Sequence, residues 1–214
     1  TVSTGTGSVT FSGSVDGAKD LVVNSAGGTF FNGTVGATTG LSSLTTNAGG
    51  SVTLQNVNTS GAQSYGENAT LNGTYTTTNS AFSVAGTTTL GGATTVSTGS
   101  GNATFTGAVN GGNTLTVNGT GTTTFTAAVG GTTPLTSLTT DAGGATAING
   151  GGVTTTGAQS YGDNVTLGAA TTLASTGAGN ITITGTTNGG QTLAVNTTGA
   201  TTFTGAVGGT TPLT

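Results

Sequence analysis

The strongest constraint on the fold is that the chain repeats itself at two lengths at once. The long period is plain in the text. Thr1-Val2-Ser3-Thr4-Gly5 restarts as Thr95-Val96-Ser97-Thr98-Gly99, and again, with one residue inserted, as Thr172-Leu173-Ala174-Ser175-Thr176-Gly177. Phe105 to Ile183 and Phe125 to Phe203 are both 78 residues apart, whereas Phe11 to Phe105 is 94. The surplus is a single phrase, residues 75–93, carrying Tyr75, Phe82 and Val84. A chain that accepts such a phrase without disturbing its neighbours is made of phrase-sized quanta, as the coils of a solenoid are. The phrases are about 16 to 23 residues long, and three units of them run 1–93, 94–170 and 171–214. A missing initial Met and an end in mid-phrase at Pro212-Leu213-Thr214 read as a slice of a longer repeat protein.

Within the phrases the apolar residues alternate with Thr, Ser, Asn or Ala. The clearest text is Phe-x-Gly-x-Val, at Phe11–Val15, Phe31–Val35, Phe105–Val109 and Phe203–Val207, with degenerate copies at Phe125–Val129 and Ile183–Thr187. Spacing by two predicts a strand with one face inward, its Gly making room for a neighbouring Phe. Leu115-Thr116-Val117 reads likewise, between the turns Asn110–Asn113 and Asn118–Gly121. Asn24, Asn118 and Asn196 follow the same Leu-x-Val strand and are expected at turns.

Composition fits the same picture. Leu, Ile, Val and Phe number only 40, a share that would mean disorder if net charge were high. Net charge is −4 and the apolar positions are regular, so the chain folds. A stack of parallel coils needs little globular core, because each coil's backbone is satisfied by its neighbours. Thr suits the outward positions, being β-branched and polar. Sparse charge avoids like charges repelling from coil to coil. The fold class expected is therefore all-β: a parallel β-helix (β-solenoid) of about eleven coils, roughly 50 Å long at 4.8 Å per coil. It is taken as right-handed, because the strict six-residue spacing of left-handed hexapeptide solenoids is missing.

Chemistry-bearing residues are scarce. There is no Cys or His, and Lys19 is the one cation, so thiol or imidazole metal sites and a basic nucleic-acid footprint are excluded. No apolar run is long enough for a transmembrane helix, and no signal peptide is visible. Asp16, Lys19 and Asp20 form the only charge cluster, but later units carry Asn110, Asn113, Thr114 and Asn188, Gln191, Thr192 there, which reads as a polar turn rather than a carboxylate pair. Glu67 and Asp163 recur just after Tyr65 and Tyr161; one carboxylate apiece is too few for calcium. Tyr65, Tyr75 and Tyr161 are expected to cap turns. Sequons such as Asn68-Ala69-Thr70 and Asn164-Val165-Thr166 follow from composition. Thr runs at 76–78, 87–89, 122–124 and 154–156 raise an ice-binding face, but they occupy different places in their phrases. No catalytic, cofactor or metal residue is assigned, and no enzyme is expected.

The phrases Thr154-Thr155-Thr156-Gly157-Ala158-Gln159-Ser160-Tyr161-Gly162-Asp163-Asn164-Val165-Thr166-Leu167 and Leu138-Thr139-Thr140-Asp141-Ala142-Gly143-Gly144 resemble the repeat region of filamentous-haemagglutinin-like bacterial adhesins, the large exoproteins of two-partner secretion and autotransporter-type export. The resemblance spans the whole chain. It implies a right-handed β-helical stalk displayed on or released from a Gram-negative cell surface, serving cell attachment or a biofilm matrix. Its partners would be neighbouring repeats of the same polypeptide, or end-to-end copies, and host-cell or matrix glycans. The other reading is a self-assembling extracellular filament subunit.

Overall fold

The computed structural model describes all 214 residues; it holds 25 strands and no helix. Every paired strand runs parallel to its neighbours, as coils wound in one direction require. Each coil lays down three short strands and so has three faces. Face one is a ten-stranded ladder, from Val2–Gly5 through Gln63–Tyr65 and Ala103–Phe105 to Thr187–Asn188. Register partners on it lie 19 to 23 residues apart, as from Leu44 to Gln63 and from Leu21 to Leu44. Face two stacks Val9, Thr29 and Val52, and later Val153, Leu173 and Val195. Face three runs from Val15 through Val57, Tyr75 and Val117 to Ile183 and Phe203. Ten coils are complete and an eleventh begins at Val207, bridged to Thr187.

Period two decides what goes inside. The inward residues of all three faces meet in one cluster of 34 buried apolar side chains. Aromatic rings form its middle. Phe82 contacts Tyr65 and Tyr75 edge-on, each at 5.7 Å, and leads to Phe105, which stacks on Phe125 at 5.4 Å. The inserted phrase 75–93 is a whole coil's worth of this core, with Tyr75, Phe82, Val84 and Leu90 all buried. The expected quantum is thus the structural one.

Three local expectations need correction. Phe-x-Gly-x-Val is not one strand but two with a corner between them: Phe31 ends a strand, Gly33 lies in the bend, and Val35 opens the next face. Its Gly does not face a Phe. Gly107 lies over the backbone of Gly86 and Gly205 over that of Gly185, so close that even a methyl group would collide with main chain. The corner glycines are there for coil-to-coil contact. Second, Tyr65, Tyr75 and Tyr161 are fully buried; only Tyr75 serves a corner, and from inside, its hydroxyl accepting from Asn72 N at 2.9 Å. Third, Asn24, Asn118 and Asn196 lie within strands rather than at turns, and on faces one, three and two respectively.

That last scatter is systematic. Phe11 and Phe31 close strands of face two, Phe105 and Phe125 strands of face one, and Ile183 and Phe203 strands of face three. Gln63-Ser64-Tyr65 lies on face one and its copy Gln159-Ser160-Tyr161 on face three. Each sequence unit therefore falls one strand short of a whole number of coils and steps round the rod by one face. The inserted phrase leaves this step unchanged because it is a complete coil.

Candidate functional site

The most distinctive text in the chain folds inward. Gln63 Nε2 donates to the carbonyls of Thr76 at 2.9 Å and Val57 at 3.3 Å, and to Thr59 Oγ1 at 3.3 Å. Its Oε1 accepts from the Tyr65 hydroxyl at 3.1 Å. Gln159 repeats the arrangement on the other face, with Ala174, Val153, Thr155 and Tyr161 in the same roles. Both glutamines are buried, and each ties three strands together from within. The recurrence marks a structural polar network rather than a ligand contact.

The acids that follow differ. Asp163 is buried, yet Oδ1 accepts from Gly144 N at 2.8 Å and Oδ2 from Thr146 Oγ1 at 3.1 Å; Thr146 Oγ1 lies 3.1 Å from Thr140 Oγ1. Burial raises its pKa, and those two bonds oppose the rise. Glu67 is equally buried, but Val52 stands where the other copy has Thr146. Glu67 Oε2 and Thr46 Oγ1 are both left without a partner, although the Thr46 hydroxyl is near enough to moderate the acid. Burial is the largest influence and pushes the Glu67 carboxyl above its ordinary value. Nowhere do three His, Cys, Asp or Glu side chains come together.

The charge cluster is split by the structure. Asp16 Oδ1 accepts from the backbone N–H of Thr38 at 2.7 Å and of Thr39 at 3.0 Å in the next coil, which holds its pKa below the usual carboxylate value. Asn110 grips Thr132 and Thr133, and Asn188 grips Thr210 and Thr211, in the same way. Asp20 instead accepts from Ser43 Oγ at 2.6 Å. The sequon asparagines serve too: Asn68 Oδ1 accepts from Thr87 N, and Asn164 Oδ1 from Thr186 N, both at 2.9 Å. Asn is thus frequent because one side-chain carbonyl fastens a corner to the coil above.

The Thr runs make no single array. Their middle residues Thr77, Thr88, Thr123 and Thr155 are buried, and the outer ones are spread over all three faces. Reading missed a different pattern. On face three the outward column Thr74, Thr95, Thr116, Thr139, Ser160, Thr182, Thr202 carries a hydroxyl in seven successive coils. Its residues come from different places in different phrases, so only the register reveals it.

One concavity exists, a shallow groove of about 400 Å³ along the corner beyond face three. Asn79, Ser97, Asn118, Thr120 and Asp141 line it, with Gly99, Ser100 and Gly119, and no apolar side chain does. Two of its polar groups already bind the wall: Asn79 Oδ1 accepts from Ser100 N, and both Asp141 oxygens accept from Gly119 N. A shallow groove without apolar lining, in which Asn79 and Asp141 are already engaged, has neither the shape nor the chemistry of a small-molecule pocket. No protein-family model matches the chain, and neither a curated protein nor a solved structure matches it.

Proposed function

We propose that the chain is a stalk segment of an extracellular bacterial adhesin or biofilm-matrix fibre, a spacer that carries attachment functions located elsewhere in the polypeptide. The observation that carries this reading is the inserted coil. A complete coil at 75–93 joins the stack while every later unit keeps its one-face step. Length can therefore be added in single coils of about 4.8 Å with no other change, which is what a spacer needs. The use of side chains supports it. Distinctive residues are spent on coil-to-coil bonds, and the outside is left as neutral hydroxyls and amides. A cysteine-free chain that folds coil upon coil also suits export in an unfolded state. No helix is long and apolar enough to cross a membrane.

The test is to place one, two and three copies of the chain between a surface anchor and a binding head and to measure the height of the head by atomic force microscopy. Each copy of ten complete coils is expected to add about 48 Å, while adhesion stays with the head. Height that does not grow with copy number, or firm attachment of cells or matrix glycans by the chain without its head, would sink the reading.

A further inference from the structure

One recurrent feature is not needed to close a coil. Residues 36–40, 130–134 and 208–212 form a loop once in every sequence unit. Val35 and Leu41 bracket the first, yet the next coil spans the same two columns with one residue, as Val57-Asn58-Thr59. Val129 and Leu135 bracket the second, and Val153-Thr154-Thr155 spans that gap directly. Four residues are thus surplus each time, and they project: Ala37, Thr38, Thr39 and Gly131, Thr132, Thr133 are exposed. The loops are held firmly. The carbonyl or carboxylate of Asp16, Asn110 and Asn188 takes two successive N–H groups of each, and Gly17, Gly111 and Gly189 donate to Thr39, Thr133 and Thr211. By the one-face step, they stand on face three, then face two, then face one.

What they stand on matters. The faces between them are stacked parallel strands with mostly hydroxyls outward and almost no charge, and two of the five acids are buried. Electrostatic repulsion between copies is weak, and β surfaces with little charge associate readily. We propose that the clasped loop is a stand-off that prevents a second copy of this rod from seating face to face, and that the one-face step extends the protection to all three faces. The inference rests on the shape of the rod and not on the stalk reading.

The test shortens the loops on the molecule's own template: residues 36–40 are replaced by one Asn, as at Asn58, and 130–134 by one Thr, as at Thr154. Circular dichroism checks folding, and small-angle scattering separates side-by-side pairing, which widens the cross-section, from end-to-end joining, which only lengthens the rod. The expected result is a folded variant that shifts from monomer to laterally paired rods at a concentration where the parent stays single. A folded variant with an unchanged cross-section, or a parent that already pairs laterally, overturns the proposal. A second measurement keeps the loops intact. Thr38→Cys at a loop and Thr74→Cys on open face three are both exposed single thiols. Oxidation is expected to cross-link rods through position 38 well ahead of position 74; equal rates would contradict the stand-off.

Discussion

The phrase Gly61–Asn68 and its copy Gly157–Asn164 are nearly the same text in two places, and comparing them separates what the fold requires from what it tolerates. The glutamine network is reproduced bond for bond, although one copy lies on face one and the other on face three. The acid is not. Asp163 has a backbone N–H and a hydroxyl, while Glu67 leaves an oxygen unpartnered. Two exchanges accompany the difference, Glu67 for Asp163 within the phrase and Val52 for Thr146 in the coil before it. The second, a methyl for a hydroxyl, also leaves Thr46 unpartnered, where Thr140 has a hydroxyl neighbour. The glutamine reaches outside its phrase only for main-chain carbonyls and for a Thr that both copies carry, so its network travels intact; the acid depends on one particular hydroxyl of a neighbouring strand and does not.

The largest effect expected tests the sameness of the two copies. Gln63→Leu and Gln159→Leu each leave a tyrosine hydroxyl without its acceptor and take a donor from two carbonyls and a Thr hydroxyl, and each should cost about 3 kcal/mol in urea unfolding. A large cost in one copy and a small one in the other would break the equivalence. Next comes the difference. Thr146→Val should remove from the second copy the hydroxyl that the first lacks and cost about 1.5 kcal/mol, from the lost Thr140–Thr146–Asp163 contacts. The reciprocal pair Val52→Thr with Glu67→Asp should recover about 1 kcal/mol. If Thr146→Val is neutral, the hydroxyl does not account for the contrast.

A smaller effect appears as a pH dependence. In the unfolded chain Glu67 titrates near its ordinary value of 4.5, and in the rod burial places it higher. Below 4.5 both states hold the proton and its contribution is at its best. As pH rises toward the folded value the unfolded state alone loses its proton, so stability declines, and it levels off once the folded carboxyl has titrated too. Melting temperature against pH should therefore slope downward there, and Glu67→Gln should flatten it. Asp163→Asn should flatten it as well, because burial also raises the Asp163 carboxyl. A slope unchanged in both variants would show that neither buried acid carries it. The smallest effect concerns Asp16, whose pKa is lowered by Thr38 and Thr39, so its contribution is present at neutral pH and fades in acid. Asp16→Asn keeps the acceptor, as Asn110 and Asn188 do. It should leave the neutral-pH melting temperature unchanged and remove only the acid-side loss.

Much of the fold was legible because stacking repeats it. Period two marked Leu115 and Val117 as inward, the 78-residue spacing marked the units, and the inserted phrase marked the coil. The corners were not legible. Phe-x-Gly-x-Val has the spacing of a strand whether it runs straight or bends at Gly, and only the neighbouring coil shows why Gly33 and Gly107 must lack a side chain. The one-face step was hidden for a related reason: phrase lengths vary, so the residue count alone does not say which strand of a coil a phrase begins on. Face three's hydroxyl column and the burial of Tyr65 and Tyr161 both follow from that register. Polar residues such as Gln63 and Glu67 were harder still, because a buried amide or acid next to a turn has the same local text as an exposed one.

The central claim, that the sequence unit steps one face round the rod, is tested most directly by pulsed electron resonance between pairs of spin labels. The chain has no cysteine, so introduced ones are unique. Thr74 and Ser160 share face three and lie four coils apart, about 19 Å along the axis. Ser64 lies four coils from Ser160 as well, but on face one. The labels at 74 and 160 should be the closer pair, with those at 64 and 160 farther apart by the width of the rod. If the pair at 64 and 160 is the closer, equivalent phrases lie on one face and the step does not exist.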